Sequence, residues 1–463
     1  MTLAGELASF AVWADTYLRT IGDDAVMPGA MPRNSMRAGL PQTPPRAGST
    51  IAATHECFLR HILPAVGHWN HPRFFGYFNS STCDGAIAGE LVASVLNTNC
   101  MTWRASPGGV ELEEHVVDWL RQIVGLPESF SGLLFDGGST TTLHALAAAR
   151  HAAEPESRVE GLKHRHLTLY ATEMTHSSVA KAAVTLGLGT ASIRNVPVDE
   201  RFRMRADALE LAVRADRAAG RQPFCVIATV GSTSTTSIDP IDAVAGVCRR
   251  ESLWLHVDAA HGGGAAAVPE ARPLFAGWER ADSITINPHK WMFVPLGCSI
   301  LLTSRPDDLR DAFAIVPEYL RAPDGTEEPE LMDLGVPLGR RFRALVLWYA
   351  ITTLGTDALI ARVREHLALA RELAGLIQTS DDFELLAPVP LSTVCFRASS
   401  LDDAGNLELL ERLNSSGVAF LTHTRINGVF ALRLTISSYR TSRQDVLKTW
   451  SQLRTLAAGF HHS

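Results

Sequence analysis

Lys290 stands where lysines are uncommon. The stretch Ser283-Ile284-Thr285-Ile286-Asn287 is rich in β-branched residues and reads as a buried strand, and it runs straight into Pro288-His289-Lys290. An ammonium group at the end of a core strand is either paired or chemically employed. Asp258 lies 32 residues upstream and closes another apolar strand in "LWLHVDAAHGGG". A carboxylate there caps a helix, binds a metal or holds a positive charge. His256 shares a strand face with Asp258, and His261 follows, but no HExxH or comparable ligand set accompanies them, so no metal site is expected.

Two more stretches carry usable chemistry. In "LLFDGGSTTTLHALAAAR" a strand is followed by Asp136-Gly137-Gly138-Ser139-Thr140 and then a helix. Glycines before a helix N-terminus leave N–H groups free for a phosphate, and the helix dipole adds to the attraction. Taken alone, the stretch is equally an ordinary Ser/Thr cap. It is not a P-loop, because the lysine of GxxxxGK[ST] is absent. In "ATEMTHSSVAKA" His176 occupies a turn between strand and helix; alone it would be an unremarked turn histidine. A lysine, an acid, an anion cradle and an imidazole at one sheet edge together suit pyridoxal 5'-phosphate (PLP). That cofactor needs a Schiff-base lysine, an acid for its pyridine nitrogen and an anion site for its phosphate. Lys290 then has a use: it holds an aldehyde.

The surrounding pattern can position these groups. From about Gly132 to Leu302 short apolar strands ("GLLF", "LTLYAT", "FCVIATV", "LWLHVDAA", "SITIN", "CSILLT") alternate with helices. That alternation predicts an α/β domain with a mainly parallel sheet and ligands at the strands' carboxyl ends. Leu3, Leu7, Phe10, Ala14, Tyr17 and Ile21 recur at helical spacing, which predicts an amphipathic helix over 3–21, followed by a Pro/Gly-rich tether over 27–49. A helical stretch over 341–377 leads to "STVCFRAS", "LELLERLNSSG" and "FALRLTISS", the pattern of a small C-terminal α+β domain. The expected division is an N-terminal helical, dimer-forming segment over 1–65, a cofactor-binding large domain over 66–355 and the small domain over 356–463.

Bulk properties narrow the partners. The chain has 463 residues, 46% hydrophobic and 20% charged, with a net charge of -7 and mean hydropathy of +0.06. The acidic balance argues against nucleic acid and anionic membrane surfaces. No apolar run approaches the roughly 20 residues of a membrane helix, and no basic, apolar leader opens the chain. Seven scattered cysteines without CxxC spacing point to reduced thiols and a cytoplasmic location.

"LHVDAAHGG", "INPHKW" and "PLGRRFRALVLW" together resemble the group II PLP-dependent amino acid decarboxylases, most closely the aromatic-L-amino-acid decarboxylases. The resemblance extends upstream to "HWNHPRFFGYFNSS" and "WRASPGGVELEEHVVDWL" and downstream to "VCFR" and "LRLTIS". It implies PLP fold type I, a seven-stranded, mainly parallel sheet flanked by helices, and a homodimer with shared active sites. By position, Lys290 carries the Schiff base, Asp258 bonds the pyridine nitrogen, Ala260 packs beside the ring and His176 stacks on its face. Gly138, Ser139, Asn287 and His289 surround the phosphate, Ser232 lines the site, and Trp69, Tyr77, Phe78, Ser80 and Met101 line the substrate pocket. The implied reaction turns an amino acid, an aromatic one from that aromatic-lined pocket, into its amine and carbon dioxide.

One position departs from the family pattern. The resemblance makes Val316 to Gly335 a lid, and a tyrosine that precedes "PLGRRF" by a fixed interval corresponds here to Leu331. Leucine cannot donate a proton. In this family, loss of that hydroxyl is associated with diversion to aldehyde, ammonia and hydrogen peroxide, so oxidative deamination is the alternative to amine formation; Tyr319 is a candidate replacement donor. A catalytically lapsed PLP-binding regulatory dimer is the non-enzyme alternative. Arg340, Arg341 and Arg343 are expected to pair with buried carboxylates across the dimer, and Arg433 to meet a substrate carboxylate.

Overall fold

The computed structural model describes residues 2–163, 166–315 and 330–461. It divides into two compact units: Thr82–Ala370 with Ala387–Thr393, and Met1–Ser81 with Arg371–Leu386 and Val394–Ser463.

The first unit is built on seven strands: β1 (Ser131–Phe135), β2 (Leu167–Ala171), β3 (Ile193–Asn195), β4 (Gln222–Thr229), β5 (Trp254–Asp258), β6 (Ser283–Ile286) and β7 (Ser299–Thr303). Their order is β1-β7-β6-β5-β4-β2-β3. β7 runs antiparallel to both neighbours, and the other pairs are parallel. Parallel strands need crossover helices that cover both sheet faces, so the strands read as continuous apolar runs rather than alternating ones. β2, β5, β6 and β7 are accordingly buried at every residue. Against one face packs the helix Gly138–Ala153, whose Ala145, Ala148 and Ala149 are small enough to bring it close to Leu133, Leu169 and Ile227. β3, only three residues long, is too short for periodicity to mark it. Because β1 also points the same way as β6, five strand ends put Gly138, His176, Ser232, Asp258 and Lys290 at one edge of the sheet.

The helical stretch expected over 341–377 is two helices, Arg343–Leu354 and Thr356–Gln378, bent by 84°. Gly355 makes the bend with φ +77°, a left-handed conformation that favours glycine.

The second unit joins both ends of the chain. Thr2 caps the helix Leu3–Thr20, accepting from Gly5 N at 3.4 Å. A four-stranded sheet, β10-β11-β9-β8, comprises β8 (Phe383–Leu385), β9 (Thr393–Ala398), β10 (Thr422–Ile426) and β11 (Val429–Thr435). Helices Asp403–Ser415 and Arg443–Ala458 start at Asp402 and at the reciprocal Ser442/Asp445 cap. Buried Arg73 clamps the ends together: it donates to Gly22 O at 2.7 Å, Val418 O at 2.6 Å and Asp445 Oδ1 at 3.0 Å.

Candidate active site

The glycine turn after β1 is shaped as a cradle. Gly138 begins its helix with a side-chain-free face towards Asn287; a Cβ built on it would lie 2.8 Å from Asn287 Nδ2. Asn287 is 3% exposed, and its Oδ1 has no hydrogen-bond partner. A buried, unsatisfied amide is costly unless something else completes it. Ser139, exposed in the first helical turn, keeps its hydroxyl and N–H near the helix N-terminus. Sequence reasoning missed the threonines beneath: Thr141 and Thr142 donate to Gly138 O at 2.9 and 2.8 Å, and Thr285 on β6 donates to Thr141 at 2.9 Å. The hydroxyl run after the glycines was their only signal.

Asp258 and Lys290 leave neighbouring strands, β5 and β6, in parallel register, with Asp258 opposite Thr285. Asp258, 7% exposed, accepts from Ala260 N at 3.1 Å, which turns the chain sharply after the strand. Ala260 O then accepts from Asn287 N at 3.0 Å, so the loops carrying the acid and the lysine are laced together. Lys290 lies half-buried in the short helix Pro288–Trp291. His176, exposed after β2, feels both groups. Desolvation lowers its pKa below 6.5, the Asp258 carboxylate pulls it up, and the Lys290 ammonium pushes it down. Its Nδ1 accepts from Ser178 N at 3.1 Å, so the neutral ring carries its proton on Nε2. Buried His289 shares Nδ1 with Cys298 O at 2.7 Å, and burial followed by Lys290 takes its pKa down to about 4. Ser232 is 1% exposed and sits in a local hydroxyl network with Thr235 and Ser237 at 3.1 and 2.7 Å. Buried His256 uses Nδ1 towards Ser283 Oγ at 2.9 Å, which also accepts from Trp254 Nε1. That histidine belongs to the sheet's polar interior.

Four of the five expected substrate-pocket residues fall in the unit that joins the chain ends. Trp69 and Tyr77, 42% and 53% exposed, stack at 5.8 Å with an 8° interplanar angle. Arg433 lies over the Phe78 ring at 4.7 Å and donates to Tyr77 O at 2.8 Å; burial lowers its pKa to about 10. Ser80 Oγ is buried without a partner among the described residues. Met101, in the unit of the seven-stranded sheet, accepts Met332 N through its carbonyl at 3.0 Å. Trp103 N donates to Glu330 at 3.0 Å, so the 330–332 segment is pinned against 101–103 and Leu331 is 3% exposed. Tyr319 and most of the expected lid lie outside the described residues.

The arginine cluster corrects an expectation. Its carboxylate partners belong to the same protomer: Arg340 pairs with Glu113, Arg341 with Glu90 and Arg343 with Asp136. Arg340 and Glu113, both nearly inaccessible, also take Leu134 O and N on β1, while Arg340 Nε has no partner among the described residues. Local sequence shows three cations but not which carboxylates the fold delivers to them.

A mainly parallel α/β sheet whose ligand edge gathers a lysine, a carboxylate, an imidazole and an anion cradle defines an enzyme of the PLP-dependent class. The Asn287 side-chain amide, packed against Gly138, has an N–H donor that fits the cofactor's phosphate. The model of the pyridoxal-dependent decarboxylase conserved domain matches residues 32–399, and the chain belongs to that family. It is 36% identical to the aromatic-L-amino-acid decarboxylase of Sus scrofa over 459 residues, covering 96% of this chain and 93% of that one. The solved structure of Oryza sativa TDC with PLP and tryptamine superposes with a TM-score of 0.95 at 34% identity, covering 99% and 98% of the two chains. Rhodiola rosea 4-hydroxyphenylacetaldehyde synthase superposes at 0.92 with 31% identity, covering 99% of each. The protein is a lyase of the amino acid decarboxylase family that uses PLP.

Proposed function

We propose that this chain decarboxylates an aromatic L-amino acid to its amine and carbon dioxide, with Lys290 as the residue that holds the cofactor aldehyde. The observation that carries the reading is the meeting of Lys290, Asp258 and His176 in one electrostatic neighbourhood beside an uncommitted cradle. Bound there, PLP supplies an aldehyde for the substrate amine and a ring that accepts the electrons released with carbon dioxide. Asp258, as an anion, favours a protonated pyridine nitrogen and so a stronger electron sink. Gly138, Ser139, Asn287 and His289 hold the phosphate, and Ser232 and Ala260 shape the wall. His176 holds a proton at Nε2 beside the reacting centre, a position from which it can serve as a relay. The aromatic side chains Trp69, Tyr77 and Phe78 support an aryl substrate. The relatives' names include both a general aromatic decarboxylase and enzymes of tryptophan and tyrosine-derived products, so the aryl group itself is left to experiment.

A second reading rests on Leu331. Buried and without a donor, it supports conversion of the amino acid, oxygen and water to aldehyde, carbon dioxide, ammonia and hydrogen peroxide. Its likeness to an aldehyde synthase points the same way. Holoenzyme incubated with tryptophan, tyrosine, DOPA and phenylalanine, with all four products recorded, tests both readings. Amine without peroxide supports the first, equimolar aldehyde and peroxide the second, and no product from any of them refutes both.

The proposal includes a homodimer, supported by exposed Leu3 and Val12 on one helix and by Leu91, Val95 and Leu96 on another. Sedimentation at the 50.2 kDa chain mass would remove it. A reducing, cytoplasmic location is part of the same reading, supported by seven free cysteines.

A further inference from the structure

The edge of the seven-stranded sheet opposite Lys290 is not closed. Where β4 and β5 begin and β7 ends there is a cavity of about 590 Å³. That volume lies within the range of roughly 300–1,000 Å³ typical of small-molecule sites. Trp254, on its wall, opens β5, and Asp258 ends the same strand; at about 3.3 Å per residue the two Cα atoms are roughly 13 Å apart. The cavity is therefore distinct from the cofactor cradle.

Its lining combines two chemistries. One wall is apolar, made by the half-buried Ala152 and Ala153 along the helix Gly138–Ala153, with buried Ala149 and Phe224 of β4 behind them. The other carries three guanidinium groups, Arg249, Arg280 and Arg305, against a single carboxylate, Asp282. Two of these cations are already held. Arg280 pairs with Asp242, and Arg305 pairs with Asp308 at 2.7 Å and Asp282 at 3.5 Å while lying over the Trp254 ring at 5.3 Å. Asp282 itself accepts from Leu255 N at 2.7 Å. Arg249, an exposed side chain, has neither a hydrogen bond nor an ion pair among the described residues. Its place in the last turn of the helix Ile241–Arg250 gains from the helix dipole, which accounts for a cation there. The dipole does not account for an alanine-walled cavity in front of that cation.

We propose that this cavity is a second small-molecule site that takes an aromatic carboxylate, its ring system on the alanine and Phe224 wall and its carboxylate on Arg249. A planar ring suits a wall of alanine methyls, whose side chains project no further than Cβ. A single negative charge matches the one guanidinium left without a partner, and a forked guanidinium recognises a carboxylate through two parallel bonds. A dianion would have to displace Asp282 or Asp308 from Arg305. A neutral ligand would gain nothing from Arg249, which is exposed.

The test uses PLP-loaded enzyme, with 2-naphthoate as probe, 2-naphthamide as its neutral counterpart, and titration calorimetry as readout. One naphthoate per chain is expected, bound at least tenfold more tightly than the amide. Arg249→Ala should weaken naphthoate at least tenfold and bring it level with the amide, leaving cofactor absorbance and turnover unchanged. Ala152→Trp, which fills the wall, should remove both ligands. Naphthoate binding that Arg249→Ala leaves intact, equal affinity for acid and amide, or no binding to the wild-type enzyme would each overturn the assignment. Binding to the catalytic centre would show itself as an affinity insensitive to Arg249.

Discussion

At the carboxyl edge of the seven-stranded sheet a polar group is left incomplete: among the described residues Asn287 Oδ1 is buried without a partner, and Gly138 packs against that amide with no room for a Cβ. At the amino edge two of the cavity's arginines are closed on carboxylates, Arg280 by Asp242 and Arg305 by Asp282 and Asp308, while Arg249 has no such partner among the described residues. Both edges are built from the same strands, and the helices between them are covered by the same core. What differs is where hydrogen-bonding capacity is left unused. A folded chain satisfies most of its buried polar groups, so a buried acceptor left unpaired beside the lysine and the acid, as Asn287 Oδ1 is, calls for an explanation that an exposed cation such as Arg249 does not.

The sharpest way to break this comparison is at the carboxyl edge. Lys290→Ala should reduce turnover to background and abolish the visible band of bound cofactor; a retained band would place the aldehyde elsewhere. Asp258→Ala should cut carbon dioxide release at least roughly 100-fold with PLP in excess. A near-normal rate would remove the carboxylate from the mechanism. Gly138→Ala puts a methyl 2.8 Å from Asn287 Nδ2, and PLP affinity should fall about tenfold, or about 1.4 kcal/mol, by spectroscopic titration. If affinity held, the close packing of Gly138 on Asn287 would not shape the cradle.

Smaller effects sharpen the contrast. Leu331→Tyr should raise the amine-to-aldehyde ratio where both products form, and no change would mean that this buried position does not face the reacting carbon. The sheet unit also holds His144, His256 and His289, each pushed down from 6.5 to about 4, with burial the largest cause. Above pH 6.5 each is neutral both folded and unfolded, so their contribution is complete. As pH falls from 6.5 towards 4 the unfolded chain takes up protons that the folded chain refuses, and stability declines. Denaturant unfolding across that range should show the decline, and His256→Gln should lower its slope by about one proton. An unchanged slope would mean that His256 titrates normally in the folded protein.

The local order of residues carried the chemistry a long way. Strand-then-glycine at Phe135–Gly138, strand-then-acid at Asp258 and strand-then-lysine at Lys290 were legible because parallel strands deliver their carboxyl ends to one edge, whatever the details of packing. The alternation of apolar runs and helices gave the mainly parallel sheet for the same reason. Other features depend on residues far apart in the chain. Which carboxylates meet Arg340, Arg341 and Arg343, how Arg73 clamps Gly22 to Val418 and Asp445, and that Leu331 is buried against the segment around Met101 were decided by tertiary packing. The turn at Gly355 and the three-residue β3 escaped notice because each is shorter than one period of any pattern. The arginine-lined cavity was invisible for a related reason. Ala152, Phe224, Arg249 and Arg305 have no meaningful spacing in sequence, and only the closure of the sheet brings their side chains around one volume.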